Sequence, residues 1–523
     1  MEYRRYGAAV LAAAMCLSLT GCQRGEKAQT PPENPPLTIS IGFWNAQDAL
    51  IGDDVQQYVE DKFNVNLVPV NMNYENYTTI LQQLASFNQL PDIFASDIVG
   101  TSAYESWIDQ NRIQALPENL EAYPHLQEYV EQPYMQKFRY SDDKFYALPR
   151  LTYPDEDLWA LDRCIIVRRD WMDTLGLEEP QTWDEFTNVL RAFVEDDPDG
   201  NGQNDTKGLT AVNMSLLETV YLNEFPELCY TERGWMYEDE QWIPVYCSKN
   251  AKDALQLMQN LQKENLLDCD LAYTSRPKAA GDFIEGRTGA ICIQYTELLD
   301  EFSERGKLPE AHSMIQVLKP WPAQDGNRYR FTTSLHWSES YFSATVDEEK
   351  MDRILQIYDW LLSPEFDILL AHGLEGVDYI LEGDTYCALD ASQPSPMAKY
   401  PSLTLFSTLA EWNQDKQYEL TEANIKRFGE ENIRYAQELL QWYKENTIRV
   451  PYNDEIKFMS LPYKNNLVNN YVIQNKMLGI IFGEEPAVTA WPKALEELAE
   501  ITPLREAITE VTAQAEALGL VAE

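Results

Sequence analysis

The chain has 523 residues, 85 of them acidic against 41 basic, for a formal net charge of -44 at pH 7. A field of that sign excludes nucleic acid and anionic lipid as partners, and acids spread along the chain rather than clustered read as a device for solubility. Eight cysteines in a chain of this size, none in a CxxC pair, exclude a disulfide scaffold.

Arg4 and Arg5 precede an apolar run from Gly7 to Leu19 that is short for a bilayer crossing, and Leu19-Thr20-Gly21-Cys22 closes it. This reads as an export signal over residues 1–21 with a lipobox, which predicts lipidation of Cys22 and an extracytoplasmic chain anchored to the cell membrane. Residues 22–36 are polar and proline-rich, as a flexible tether requires, so folding is expected to start near Leu37. No later run is apolar enough for a membrane helix, so the body is expected to be a soluble monomer held to the membrane through its anchor alone.

About 485 residues remain, enough for two substantial domains. The strand patterns LTISIGFW and NVNLVPVNM bracket the amphipathic DDVQQYVEDKF, and the helical YENYTTILQQLASF precedes the strand PDIFAS. That alternation predicts an α/β lobe. A second α/β region opens with DRCIIVRRDW and carries the helical patterns DWMDTL and TWDEFTNVLRAFVE, then AKDALQLMQNLQKENLL and RTGAICIQYTELLDEF. Cys229 and Cys247 flank a hairpin pattern, WMYEDEQWIPVY, and either pair or stay as single thiols. After Pro322 come the strand-like YRFTTSLHWS, an amphipathic helix over 347–362, and a mainly helical region from about residue 395 onward.

The loop DDPDGNGQNDTKG carries the most specific chemistry. Asp197, Asp199, Asn201, Gln203 and Asp205 fall at alternate positions and Gly202 supplies the tight turn, the oxygen-donor pattern of a calcium loop. The twelfth position, where such loops place a bidentate Glu, is Gly208, so a closing acid has to come from elsewhere. Asp/Asn/Gly loops of this composition also form as solvated turns without metal. Calcium, if held here, is expected to be structural.

The run IIVRRDWMDTLGLEEPQTWDEFTNVLRAFVEDDPDGNGQNDTKGLTAV resembles the corresponding segment of the extracellular solute-binding proteins, family 1, of carbohydrate-type ABC importers. ISIGFWN, LASFNQLPDIFASD, DKFYALPR, FIEGRTGAICIQY, SATVDEEKMDRILQIYDWLLSPEF and HGLEGVDY agree with that family in order, over roughly residues 37–500. The resemblance implies a type II periplasmic-binding-protein-like α/β fold of two lobes around a ligand cleft, joined by about three crossings near Leu151, Arg330 and Gln393. Residues 37–150 with 331–393 would form one lobe and 151–330 with 394–523 the other. It also implies carbohydrate capture, most naturally of an oligosaccharide, and delivery to ABC transporter permease subunits, without catalysis.

The residues are consistent with that expectation. HExxH, GxSxG, GxxxxGK[ST] and GxGxxG are all absent from the sequence, and it holds only four histidines. Glycoside hydrolases leave no local signature, because space rather than spacing sets their two carboxylates. An extracellular polysaccharide-acting enzyme, or a lipoprotein presenting ligand to a sensor, therefore stands as an alternative. Thirteen tryptophans and 30 tyrosines supply faces on which the C–H side of a sugar stacks. Strand ends that face the crevice of an open α/β sheet nominate Trp44, Asn45 and Asp97. Position beside the first implied crossing nominates Arg150 and Trp159, the end of the strand-like FTTSLH nominates Trp337, and the glycine turn GLEGVDY nominates Glu375. Each aromatic is equally at home packing a core.

Overall fold

The computed structural model describes residues 35–520 apart from 75, 230–233, 272–273, 384, 391–392, 413–414 and 468–469. The signal segment 1–21, Cys22 and the tether up to residue 34 lie outside the described residues.

In the first lobe, Leu37–Gly42 turns Ile39 and Ile41 into the core at the two-residue period of a strand. It pairs in parallel with Val65–Pro69 on one side and Ile93–Ser96 on the other. His336–Ser343 returns antiparallel beside Ile93–Ser96 and also pairs with Ile113–Gln114 and Leu148–Leu151. The helix Asp54–Phe63 forms because Asp53 caps its start, accepting from the Gln56 amide, and Asn64 ends it in the left-handed region at φ 51°. Val55, Val59 and Phe63 line its buried face, and each such side chain contributes about 1.5–3 kcal/mol when fully removed from water.

The second lobe is built on the sheet order Ile315–Val317, Cys164–Arg168, Thr288–Ile293, Lys207–Ala211. Its strands are buried on both faces, so alternate residues feed different cores. Ile165, Val167, Ala290 and Cys292 join one core, while Cys164, Ile166, Ile291 and Ile293 join the other. The helix Glu430–Asn446 closes the second of these with Ile433, Ala436 and Leu439, and Asn470–Ile481 and Ala487–Ile501 close the first with Ile473, Met477, Trp491 and Leu498. The expected hairpin is present as Trp235–Glu238 and Gln241–Pro244, but Cys229 and Cys247 are both free thiols.

The chain passes between the lobes at three places that run side by side. Leu151 belongs to the first core and Tyr153 to the second, and the amides of Thr152 and Tyr153 donate to the Leu335 carbonyl on the return passage after Phe331. The third passage differs from the expected position near Gln393. The helix Ser402–Leu409 buries Leu403, Leu405, Phe406 and Leu409 in the first core, and the chain reaches the second lobe only at Tyr418. With Ser402 and Thr408 buried beside its apolar residues and only Thr404 and Ser407 partly exposed, this helix has no charged face to mark which lobe it joins. No helix among the described residues is long and apolar enough to cross a membrane.

Candidate functional site: an aromatic and ion-paired interlobe cavity

A cavity of about 790 Å³ opens between the lobes. Its first-lobe wall is aromatic: Trp44, Tyr74, Tyr77, Trp337 and Trp412 all line it. Trp44 lies 5.3 Å from Trp337 and 5.3 Å from Tyr77, centroid to centroid, and Trp337 lies 5.0 Å from Trp412. These are contact distances for tilted aromatic pairs, so the rings form one continuous surface. Topology assembles it. Trp44 follows the C-terminal end of Leu37–Gly42, Trp337 opens the strand of the return passage, and Trp412 sits on the third passage, where its amide donates to the Leu151 carbonyl.

The opposite wall sets charged and polar groups beside Trp159, Trp235 and Tyr246. Arg276 pairs with Glu297 at 2.6 Å, and its guanidinium lies 5.9 Å from the Tyr74 ring, so the two walls meet across the gap. Burial pushes the Glu297 carboxyl up to about 7 against the pull of Arg276, and the Asp162 carboxyl up to about 6. Tyr153 donates to Asp162 at 3.3 Å and receives the Gln294 amide in turn. At the rim the ammonium of Lys464 donates to the carbonyls of Gly100, Lys457 and Met459 at 3.2, 2.9 and 2.8 Å, tying the C-terminal region to a first-lobe loop. Gly100 permits this, for a Cβ there would lie 2.3 Å from the Lys457 carbonyl oxygen.

Of the residues nominated from sequence, Trp44, Asp97, Trp159 and Trp337 line the cavity. Three others lie elsewhere. The Asn45 amide donates to the Thr404 carbonyl at 3.2 Å and ties its loop to the helix Ser402–Leu409. Arg150 is wholly buried behind the aromatic wall, because Leu148–Leu151 is covered on both faces. Glu375 is exposed in a turn held by Asp378, which accepts from the Leu374 amide, Lys399 and Tyr400. Sequence reading missed Tyr74, Tyr77, Trp412, Asp162, Arg276 and Glu297. The strand-end rule that nominated Trp44 also points to Glu297, four residues past the end of Thr288–Ile293.

The acidic loop lies away from the cavity, after the helix Trp183–Glu195. The Asp197 carboxylate accepts the amides of Asn201 and Gly202 at 3.0 and 2.9 Å, with Gly200 and Gly202 at φ 70° and 79°. Asp199 and Asp205 converge on the Asn201 side-chain amide at 2.8 and 3.1 Å, so a hydrogen-bond donor stands between two carboxylates. An all-oxygen donor set gathered this way suits a hard cation. A Cβ on Gly208 would lie 2.5 Å from the Leu266 carbonyl oxygen, so the strand pairing itself bars a glutamate from the twelfth position. The neighbouring group Asp268, Cys269 and Asp270 holds Lys207, at 2.5 Å from Asp268 and 3.7 Å from Asp270.

No family model matches the chain. Lipoprotein LipO of Bacillus subtilis is 27% identical over 252 residues, 47% of this chain and 49% of LipO. The polygalacturonan/rhamnogalacturonan-binding protein YtcQ of the same organism is 26% identical over 220 residues, 41% and 43% of the two chains. The fructooligosaccharide ABC transporter substrate-binding protein FusA of Streptococcus pneumoniae is 25% identical over 146 residues, 26% and 27% of the two. The chain thus spans half or less of the length of these curated relatives. Solved structures match throughout. FusA in complex with kestose superposes with a TM-score of 0.66 at 15% identity, covering 93% of this chain and 100% of that one. The alginate-binding protein AlgQ2 without calcium ion gives 0.67 at 15%, covering 92% and 98%. The chain is similar over part of its length to these binding proteins and shares the fold of solved ABC-transporter substrate-binding proteins. Within that fold the cavity described above is the interlobe cleft. A solved FusA EF-hand mutant with fructo-nystose superposes with a TM-score of 0.68 at 14% identity, covering 93% and 100%.

Proposed function

We propose that the chain is a substrate-binding protein that captures an oligosaccharide in the interlobe cavity and delivers it to the permease subunits of an ABC transporter. The observation that carries this reading is the continuous ring surface of Trp44, Trp337 and Trp412 facing the Arg276–Glu297 pair. A saccharide offers both partners at once: apolar C–H faces for the rings and hydroxyls for the carboxylates and guanidinium. Trp44, Asp97, Trp159 and Trp337 remain the contact residues from sequence, joined by Tyr74, Tyr77, Trp412, Arg276 and Glu297. Contacts made to both lobes at once stabilise the conformation in which the lobes enclose the sugar, and that conformation is what a permease would recognise. No covalent step is required. The chain works as a monomer, anchored outside the membrane through lipidated Cys22. A polysaccharide-acting enzyme would draw support from the two raised carboxyls, and intact sugar recovered after incubation sets that reading aside.

The raised carboxyls give the reading a pH dependence. Sugar hydroxyls donate to ionised carboxylates, so the bound state holds Glu297 and Asp162 at lower pKa than the free state, and binding releases protons. Affinity is then complete above about 7 and is lost as pH falls through the free-state values of about 7 and 6. Calorimetric titration should show affinity several-fold weaker at pH 5 than at pH 8, with Glu297→Gln flattening the upper part of the profile. A wild-type profile flat over this range would remove the carboxylates from the contact set.

The loop from Asp197 to Asp205 is read as a structural calcium site, with Asp197, Asp199, Asn201 and Asp205 offering side-chain oxygens and Gln203 its backbone carbonyl. The bound ion would pin the end of the helix Trp183–Glu195. Calcium should raise the melting temperature by mass action, by about 2.7 kcal/mol of stability at a hundredfold excess over Kd. Asp199→Ala with Asp205→Ala should abolish that rise. An undiminished rise in the double variant would move the ion to another site.

A further inference from the structure

The Arg150 guanidinium is an unusual group to find where it is. Its side chain is fully buried, no carboxylate lies within ion-pair distance among the described residues, and its Nε finds no hydrogen-bond partner. Two hydrogen bonds hold it, from Nη1 to the Thr408 carbonyl at 2.6 Å and from Nη2 to the Ser338 hydroxyl at 2.9 Å. A buried cation is costly unless something replaces its hydration, and here aromatic faces do so. The guanidinium carbon lies 5.2 Å from Trp44, 5.3 Å from Phe43, 5.8 Å from Trp412 and 5.9 Å from Trp337. Three of those four rings line the cavity and Arg150 does not, so the cation stands behind the wall that the ligand would meet.

The rings come from separate parts of the chain. Trp44 sits on the loop after the first strand, Trp337 on the return passage and Trp412 on the third passage, while Arg150 itself closes the strand that leads into the first passage. The helix Ser402–Leu409, which carries Thr408, belongs to the same junction. One planar, permanently charged fork therefore touches every segment that contributes an indole to the wall.

We propose that Arg150 is a positioning residue: from behind, it holds Trp44, Trp337 and Trp412 in the mutual orientation that receives the ligand. The inference rests on reading the cavity as a saccharide site. A plain core cation would affect stability alone, whereas a positioning cation also fixes the coupling between the indoles and the affinity of the surface they form. Lysine keeps the charge but loses the plane and the two-point hold. Methionine keeps much of the volume and loses the charge.

The test compares the full-length wild-type chain with Arg150→Lys, Arg150→Met and Ser338→Ala. Saccharide affinity is read by calorimetry, indole coupling by near-ultraviolet circular dichroism without ligand, and folding by melting temperature. Arg150→Met should weaken binding at least tenfold and alter the tryptophan bands, with Arg150→Lys intermediate. Ser338→Ala, which keeps the cation and removes one of its anchors, should weaken binding about threefold with a smaller change in the same bands. Should Arg150→Met fail to fold, the other two variants decide the matter. Wild-type affinity and unaltered bands in Arg150→Lys and Ser338→Ala, or a fall in melting temperature alone, would overturn the inference while leaving the saccharide site standing. A wild-type chain that binds no saccharide would overturn both.

Discussion

Replacing Trp44 and Trp337 together by alanine is expected to weaken oligosaccharide binding by roughly a hundredfold, with each single replacement costing about tenfold. The two rings stand 5.3 Å apart and both line the cavity, so a bound sugar would stack on both. Each aromatic stack contributes about 0.5–1.5 kcal/mol beyond the area it buries, and losing two of them with their buried area amounts to roughly 2–3 kcal/mol. The rings also touch each other, and any departure of the double replacement from that hundredfold product of the singles measures their coupling. Both side chains are only partly buried, which keeps the expected loss of stability small beside the loss of affinity. Calorimetric titration of the three variants reads the effect directly. An unchanged Kd in the double variant would mean that the rings only pack against one another.

The largest effect on stability is expected at Gly289. It lies in the central strand Thr288–Ile293 of the second lobe, and a Cβ there would lie 2.2 Å from Cδ2 and 2.6 Å from Cγ of Phe193. Phe193 is fully buried and rests edge-on against Trp171 at 5.5 Å, so its ring has nowhere to go. Gly289→Ala must push the helix Trp183–Glu195 off the sheet. Overpacking of this kind costs about 1–3 kcal/mol, and for a lobe of this size that lowers the melting temperature by about 2–12 °C. Because the same helix leads into the loop from Asp197, calcium should also stabilise this variant less than wild type. Scanning calorimetry with and without calcium measures both. A melting temperature within a degree of wild type would show that the sheet and helix have slack where the packing shows none.

Much of the first lobe was legible because its strands keep one face toward the core. Period-two burial in Leu37–Gly42 and the cap at Asp53 are written in the residues themselves. The positions near Leu151 and Arg330 came from the family resemblance and not from any pattern in the residues themselves. The third passage was not legible in the sequence. Ser402–Leu409 mixes Ser and Thr with Leu and Phe and carries no charge, and only tertiary packing assigns it to the first lobe. Trp412 was missed with it. Tyr74 and Tyr77 read from sequence as ordinary positions at the start of a helix, and only the fold turns them toward the cleft. Arg150 was misjudged for a different physical reason. An arginine beside a crossing suggests a solvated cleft-facing cation, and the pattern of a short strand does not reveal that both its faces are covered. Gly at the twelfth position of the acidic loop is plain in the sequence, but the close approach of Gly208 to the Leu266 carbonyl is a long-range fact.

The measurement that bears most directly on the whole account is calorimetric titration of the chain with a panel of oligosaccharides, each recovered and analysed for cleavage. Saturable binding of at least one, with negative heat capacity change from apolar burial and the sugar returned intact, is the predicted result. A sugar returned cleaved, or no binding by any member of the panel, would contradict it.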